Sequence, residues 1–495
     1  METIFETITK NRLDPGNIDT AVNNVVSKIT TENPKVNAVI WQDETFTNNE
    51  IARVKNSVQP DSALFGLPIL VKEIESPILG TPNSWGNKTL KEQGYRDTYS
   101  ATSTKLLQDA GAIIVGKTNN CELAINVTTN SFAHGPTLNP NDLSRNAGGS
   151  SGGSAAGVAT GMVRIATGND GGGSIRIPAA HCGIFGYKSS MGRISNGPII
   201  GAPWAGLSTK GLLGLTIKEI AKVADIMSVS QPGDLYSSGK AESIFLESLN
   251  NELPKLKIGI RTTTIGNSSD VNRNFIAATN MLGDFLSDQG HEVIIASPAI
   301  FDQDWILKSF DNIIASNAKV DFEEMIRRSN NAIKLDDSSS SVQYFVNQAE
   351  NISSSQYVNS CYDMEYFAYQ TAPFFEDFDI LLTPTVADYA PINSDIELYG
   401  EPPYNPYSYA GFTCPINFIG ACAIALPISP LNLTPKDELS TERALQGRTL
   451  QTELSTENLP LSVQIASKRN NDTLLFQMSH YLECNYPNIH SNSLI

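Results

Sequence analysis

Two glycine-rich loops, each carrying a serine, constrain this chain more than any other feature. Gly148-Gly-Ser-Ser-Gly-Gly-Ser154 is followed by a small-residue segment and then by Gly171-Gly-Gly-Ser-Ile-Arg-Ile-Pro178, so Ser150 and Ser174 lie 24 residues apart. Glycine loses more backbone freedom on folding than any other residue. Such density therefore marks a backbone that takes left-handed angles or approaches a ligand closely. A hydroxyl on a loop of this kind is exposed and held, as a nucleophile must be.

Three chemistries compete for these loops. A phosphate cradle needs Gly-x-x-x-x-Gly-Lys-Ser/Thr, and no lysine follows the glycines at that spacing. A nucleophile elbow needs Gly-x-Ser-x-Gly directly after a strand. Gly148 to Gly152 has the right letters, but Asn139 to Asn146 before it is a turn-rich run without a strand pattern. A pair of serines served by a lysine base fits best. Lys72 is the candidate, because it closes Gly66-Leu-Pro-Ile-Leu-Val-Lys72, a short apolar strand bounded by turn residues. Burial would disfavour its charged form and make it a base near neutral pH. An exposed lysine at a strand end is the ordinary alternative, and pattern alone favours it.

Further segments carry a family resemblance. Gly66 to Glu73, Gly116-Lys-Thr-Asn-Asn-Cys-Glu122, Phe378-Asp-Ile-Leu-Leu-Thr-Pro-Thr385 and Asn417 to Pro427 join the two loops. Together they resemble the amidase signature hydrolases from about Ile18 to Glu483, and this turns the reading of Lys72 toward the base. The resemblance implies a triad. Ser174 would be the nucleophile. Ser150, after a cis peptide bond from Gly149, would relay protons between Ser174 and Lys72. The backbone amides of Gly171, Gly172, Gly173 and Ser174 would form an oxyanion hole. Loss of one such donor commonly costs about 10²–10³ in rate. Ser151 has two roles open to it, assistance near the leaving group or capping of the following helix. Asp170 and Arg176 would hold the loop through charge-assisted hydrogen bonds. Within the family, the spacing is most similar to the 6-aminohexanoate-cyclic-dimer hydrolase branch. Gly171 and Gly172 stand where that branch commonly carries alanines, and Ser189-Ser190 where the wider family favours Pro-Thr. The implied activity is hydrolysis of a small carboxamide or linear amide, with no cofactor. Two rivals stand beside it. One is the subunit that transamidates misacylated glutamyl-tRNA, which usually carries glutamine where this chain has Ile177. The other is a catalytically silent binding protein.

Composition bounds the partners. The 495 residues carry 35 basic and 52 acidic side chains, a net charge of −17. Phosphate backbones demand clustered Lys and Arg, so nucleic acid is not expected as a partner. A homodimer is among the assemblies open to the chain. The six cysteines, at 121, 182, 361, 414, 422 and 484, form no Cys-x-x-Cys pair and read as buried free thiols of a reducing compartment. His181 lies near the glycine loops and reads as a packed residue, and no metal cluster stands out. No apolar run reaches the ~18 residues of a membrane span. The start of the chain lacks the basic and apolar regions of a secretory leader, so a cytoplasmic protein is expected.

The expected fold is α/β, a mixed β-sheet sandwiched between layers of α-helices, as one domain over 1–495. Apolar runs at 69–71, 113–115, 163–166, 258–260, 293–295, 380–382 and 423–426 alternate with helical patterns such as Ile217 to Met227 and Val271 to Leu286. The N-terminal helical segment covers about 1–60, with a break near Pro34. Residues 300–372 hold helical runs with aromatic residues and, by the resemblance, shape the substrate pocket. Residues 432–458 are polar, repeat Glu-Leu-Ser-Thr-Glu, and read as a solvated surface loop.

Overall fold

Side chains alternate across a strand, and here that alternation divides the core in two. In the computed structural model, Ile69 and Val71 pack into one apolar cluster while Leu70 packs into the other; Ile114 is separated in the same way from Ile113 and Val115. A sheet buried on both faces is the result. The structure describes residues 2–239, 241, 243–393, 405–429 and 459–489, so the segment 432–458 lies outside it.

Fifteen strands occur among the described residues. They are β1 (Val39–Trp41), β2 (Pro68–Lys72), β3 (Ile113–Thr118), β4 (Asn130–Ser131), β5 (Gly135–Pro136), β6 (Leu138–Asn139), β7 (Asp142–Asn146) and β8 (Ile165–Asp170). There follow β9 (Phe185–Lys188), β10 (Thr209–Gly214), β11 (Lys257–Ile260), β12 (Glu292–Ile295), β13 (Ile380–Pro384), β14 (Cys422–Ile428) and β15 (Leu461–Ser467). Eleven of them form one sheet in the order β1-β3-β2-β8-β10-β9-β14-β15-β13-β11-β12; β4-β5 and β6-β7 are separate ribbons. The sheet is mixed. β2 runs parallel to β3 and β8, β11 runs parallel to β12 and β13, and the strands between pair antiparallel.

The seven apolar runs all contribute strands to this sheet, and the helix expected at Ile217–Met227 has those bounds, with Thr216 capping it through Glu219 N–H. The break expected near Pro34 is present, and two other expectations need correction. The helix Asn17–Val36 carries Pro34 inside it and ends at Asn37, whose left-handed φ of 53° turns the chain into β1. Asp142–Asn146, read as turn without strand, is β7; it pairs with β6 in a polar ribbon that has no apolar alternation to reveal it. Among the cysteines, Cys121, Cys182, Cys414 and Cys422 are buried, but Cys361 is half-buried and Cys484 exposed; all six thiols are free.

Because β2 and β8 are parallel neighbours, their C-terminal ends reach the same edge of the sheet. Lys72 ends one and Asp170 the other. Ligand sites of α/β sheets collect at such ends. The small-residue helix Gly152–Ala159 is wholly buried beneath this edge and packs on both strands.

Candidate active site

The sheet edge brings Lys72 and Ser150 into direct contact. Lys72 Nζ lies 2.7 Å from Ser150 Oγ and 2.5 Å from Asn169 Oδ1, and the Lys72 amide donates to Thr167 Oγ1 at 3.1 Å. Lys72 is fully buried. Burial disfavours its ammonium form and lowers its pKa from 10.5 to about 8, against the opposing pull of Glu75 and, more weakly, Cys121 and Asp170. Lys210 pushes in the same direction as burial.

The Gly149–Ser150 peptide is cis. Gly149 passes hard against the neighbouring chain: a Cβ there would stand 2.4 Å from the Thr128 carbonyl carbon. Only glycine fits at that approach.

Ser174 sits on the second loop. The Ser151 amide donates to its carbonyl at 3.1 Å, which ties the two loops together. No hydrogen bond joins Ser174 Oγ to Ser150 or Lys72 among the described residues. Ser174 instead borders a small cavity of about 40 Å³ together with Gly172, Trp204 and Phe310. Trp204 also lines a larger neighbouring cavity of about 380 Å³, which holds none of Lys72, Ser150 and Ser174 in its wall.

Asp170 and Arg176 form the scaffold of this loop. Both are fully buried, and the guanidinium meets the carboxylate twice, at 2.7 and 2.9 Å. Asp170 also accepts from the amides of Gly173 (2.8 Å) and Ile175 (3.2 Å) and from Asn417 Nδ2 (3.0 Å). Burial alone would raise its pKa, but the Arg176 charge and these donors hold its carboxyl well below the ordinary range. Arg176 spends its remaining donors on the Thr413 carbonyl, Gln464 Oε1 and Asn417 Oδ1.

This arrangement changes two details of the sequence reading. The Gly173 amide is committed to Asp170, so only those of Gly171, Gly172 and Ser174 lack a protein acceptor among the described residues. Ser151 stands at the N-cap of the helix Gly152–Ala159 but makes no capping bond; its hydroxyl turns to the Asn169 carbonyl at 3.3 Å. His181 is packed, as expected, edge-on to Tyr409 with ring centres 5.5 Å apart, and burial lowers its pKa to about 3. Asn169, Thr413, Asn417 and Gln464 were not singled out from sequence. Asn169 had a local signal, since it sits in Gly-Asn-Asp immediately before the loop. No group of three or more His, Cys, Asp or Glu side chains able to hold a metal occurs among the described residues. Among them, no helix is long and apolar enough to cross a membrane.

Comparison with known proteins gives the family. The family model described as Amidase matches residues 20–476. The 6-aminohexanoate-cyclic-dimer hydrolase of Paenarthrobacter ureafaciens is 28% identical over 470 residues, covering 92% of this chain and 89% of that protein. A glutamyl-tRNA(Gln) amidotransferase subunit from Sulfurihydrogenibium is 38% identical, but over 214 residues, 43% of this chain and 42% of its own. Among solved structures, a 6-aminohexanoate cyclic dimer hydrolase complexed with substrate superposes with a TM-score of 0.86 at 26% identity, over 97% of this chain and 96% of that one. The chain belongs to the amidase family, in its amidase signature fold, and is a hydrolase of carbon–nitrogen amide bonds.

Proposed function

We propose that the chain cleaves a small carboxamide or linear amide through a Ser174–Ser150–Lys72 relay and an acyl-enzyme. The observation that carries the reading is the 2.7 Å contact between Ser150 and a fully buried lysine whose pKa is lowered to about 8. Neutral Lys72 takes the Ser150 proton as Ser150 takes that of Ser174. Ser174 Oγ then bonds to the amide carbon. The amides of Gly171, Gly172 and Ser174 receive the oxyanion. Ser150 delivers its proton to the leaving nitrogen as Lys72 returns one to Ser150, and the C–N bond breaks. Water repeats the cycle on the ester. The open Ser174–Ser150 leg closes when substrate fills the cavity, as catalytic hydrogen bonds often tighten only in the complex.

The sheet that supports the site draws strands from residue 39 to residue 467, which favours one catalytic unit over the whole chain. Every group named above comes from a single copy, so a homodimer would add none of them. The preference for a small amide over a tRNA-linked substrate rests on the net charge of −17 and on the full-length match to the cyclic-dimer hydrolase. The free thiols favour a cytoplasmic setting.

A fluorophosphonate probe tests the nucleophile. It labels the parent and not Ser174→Ala, and the parent hydrolyses members of a panel of aliphatic, aromatic, peptidic and cyclic amides, with Lys72→Ala as the blank. A folded parent that neither labels nor hydrolyses would return the chain to a silent binding scaffold.

A further inference from the structure

The cavity beside Ser174 carries a charge that the relay does not use. Its wall is mainly apolar, with Trp204, Phe310 and Ile314 among its members, yet it includes Asp311. Among the described residues Asp311 is the only carboxylate, lysine, arginine or histidine that lines it. The helix Trp305–Arg328 places Asp311 there. Phe310, one residue earlier, presses on the nucleophile loop so closely that a Cβ on Gly172 would meet its ring at 2.8 Å.

Among the described residues Asp311 has one polar partner. The Tyr407 hydroxyl donates to Oδ1 at 2.8 Å, and no ion pair reaches the carboxylate among those residues. Asp311 is half-buried, and a carboxylate set in an apolar wall is normally paired, because an uncompensated charge there is costly. A neutral acceptor would serve Tyr407 as well. The carboxylate is therefore an acceptor held in place with no cation in contact among the described residues, in the cavity that the nucleophile borders; Lys308 on the same helix acts on it only from beyond ion-pair distance. The net charge of −17 acts in the same direction, since it raises the local concentration of cationic ligands.

We propose that Asp311 selects amides bearing a primary ammonium group on the part of the substrate that enters this cavity. The inference rests on the amidase reading above and names the substrate class of that site. Asp311 is then a specificity-determining residue, and Tyr407 positions it.

The test compares ω-amino carboxamides of graded chain length with n-alkyl carboxamides of equal length. The readout is the ratio of their kcat/KM values, alongside fluorophosphonate labelling. At the chain length that fits, the parent favours the ammonium substrate by roughly 10²-fold, and Asp311→Asn brings the ratio close to one. The ratio in the parent also falls as pH drops through about 6, the value to which burial raises the Asp311 carboxyl. The other titratable groups around it are Lys308 on its own helix, Tyr344, Tyr407 and Cys414. Lysine, tyrosine and cysteine side chains ordinarily change charge well above that interval, and burial moves Tyr344 and Cys414 further from it. If Asp311→Asn fails to fold, Tyr407→Phe replaces it. Loss of the hydroxyl that favours the carboxylate moves the pH midpoint of the ratio upward. A parent that labels and hydrolyses alkyl amides as well as or better than amino amides overturns this inference alone, as does a preference that survives Asp311→Asn. A parent that neither labels nor hydrolyses any amide overturns both readings.

Discussion

Asn169→Asp puts the proposed base to a direct test. Asn169 Oδ1 lies 2.5 Å from Lys72 Nζ in a site closed to solvent, so the substitution sets a carboxylate against a buried amine. With a pKa of about 8, roughly one-tenth of Lys72 is neutral at pH 7. An opposite charge within about 4–6 Å favours the charged form and raises such a pKa by about 1–3. The neutral fraction then falls to between about 1% and about 0.01%. We expect kcat/KM at pH 7 to drop about 10- to 10³-fold, and the acid limb of the pH profile to move up by the same interval, with activity recovering in alkaline buffer. The assay is kcat/KM against pH on any turned-over amide, with the rate of fluorophosphonate labelling as a second readout and a thermal melt to show that the variant is folded. A folded variant whose acid limb stays where the parent has it would refute the claim that a neutral Lys72 drives the reaction.

Three further outcomes follow from the same contacts. Glu75→Gln removes the strongest influence opposing burial at Lys72, so the acid limb of the profile should shift to lower pH, the reverse of Asn169→Asp. Asp170→Asn breaks a buried pair and should cost about 3–5 kcal/mol, seen as a lower melting temperature at pH 7. In the parent that contribution is present above the ordinary carboxylate range and is lost only as pH falls below it, because the folded pKa of Asp170 is depressed; melts at pH 7 and pH 3 check this. Gly173→Ala sets a Cβ 2.3 Å from Thr413 Oγ1 at a backbone φ of 138°, and the displaced loop amides should lower kcat by at least ~10² with less effect on KM.

How legible the site was depended on how local its contacts are. The loops with Ser150 and Ser174, and the strand ending in Lys72, stand out because glycine density and an apolar run are visible in a few consecutive residues. Ile217–Met227 was legible for a similar reason: its apolar face repeats with helical period and Thr216 marks its start. β9 and β10 were not. Phe185–Lys188 and Thr209–Gly214 interrupt their apolar residues with lysines and glycines, yet Lys188 is fully buried, its amine donating to the carbonyls of Ser189 and Ala421. A satisfied lysine overrides the rule that lysines stay in water. The distant Arg176 partners, Thr413, Asn417 and Gln464, were beyond reach because no short-range pattern links a residue to acceptors hundreds of positions later.

Those distant acceptors make the loop depend on the C-terminal part of the chain. Thr413, Asn417 and Gln464 follow Arg176 by 237, 241 and 288 positions. While the ribosome is still synthesising the C-terminal third, the serine-bearing loop has emerged but its guanidinium has nothing to grip on that side. A partly made chain therefore holds this loop only through the local Asp170–Arg176 pair, and the far side of the guanidinium is filled once β15 enters the sheet.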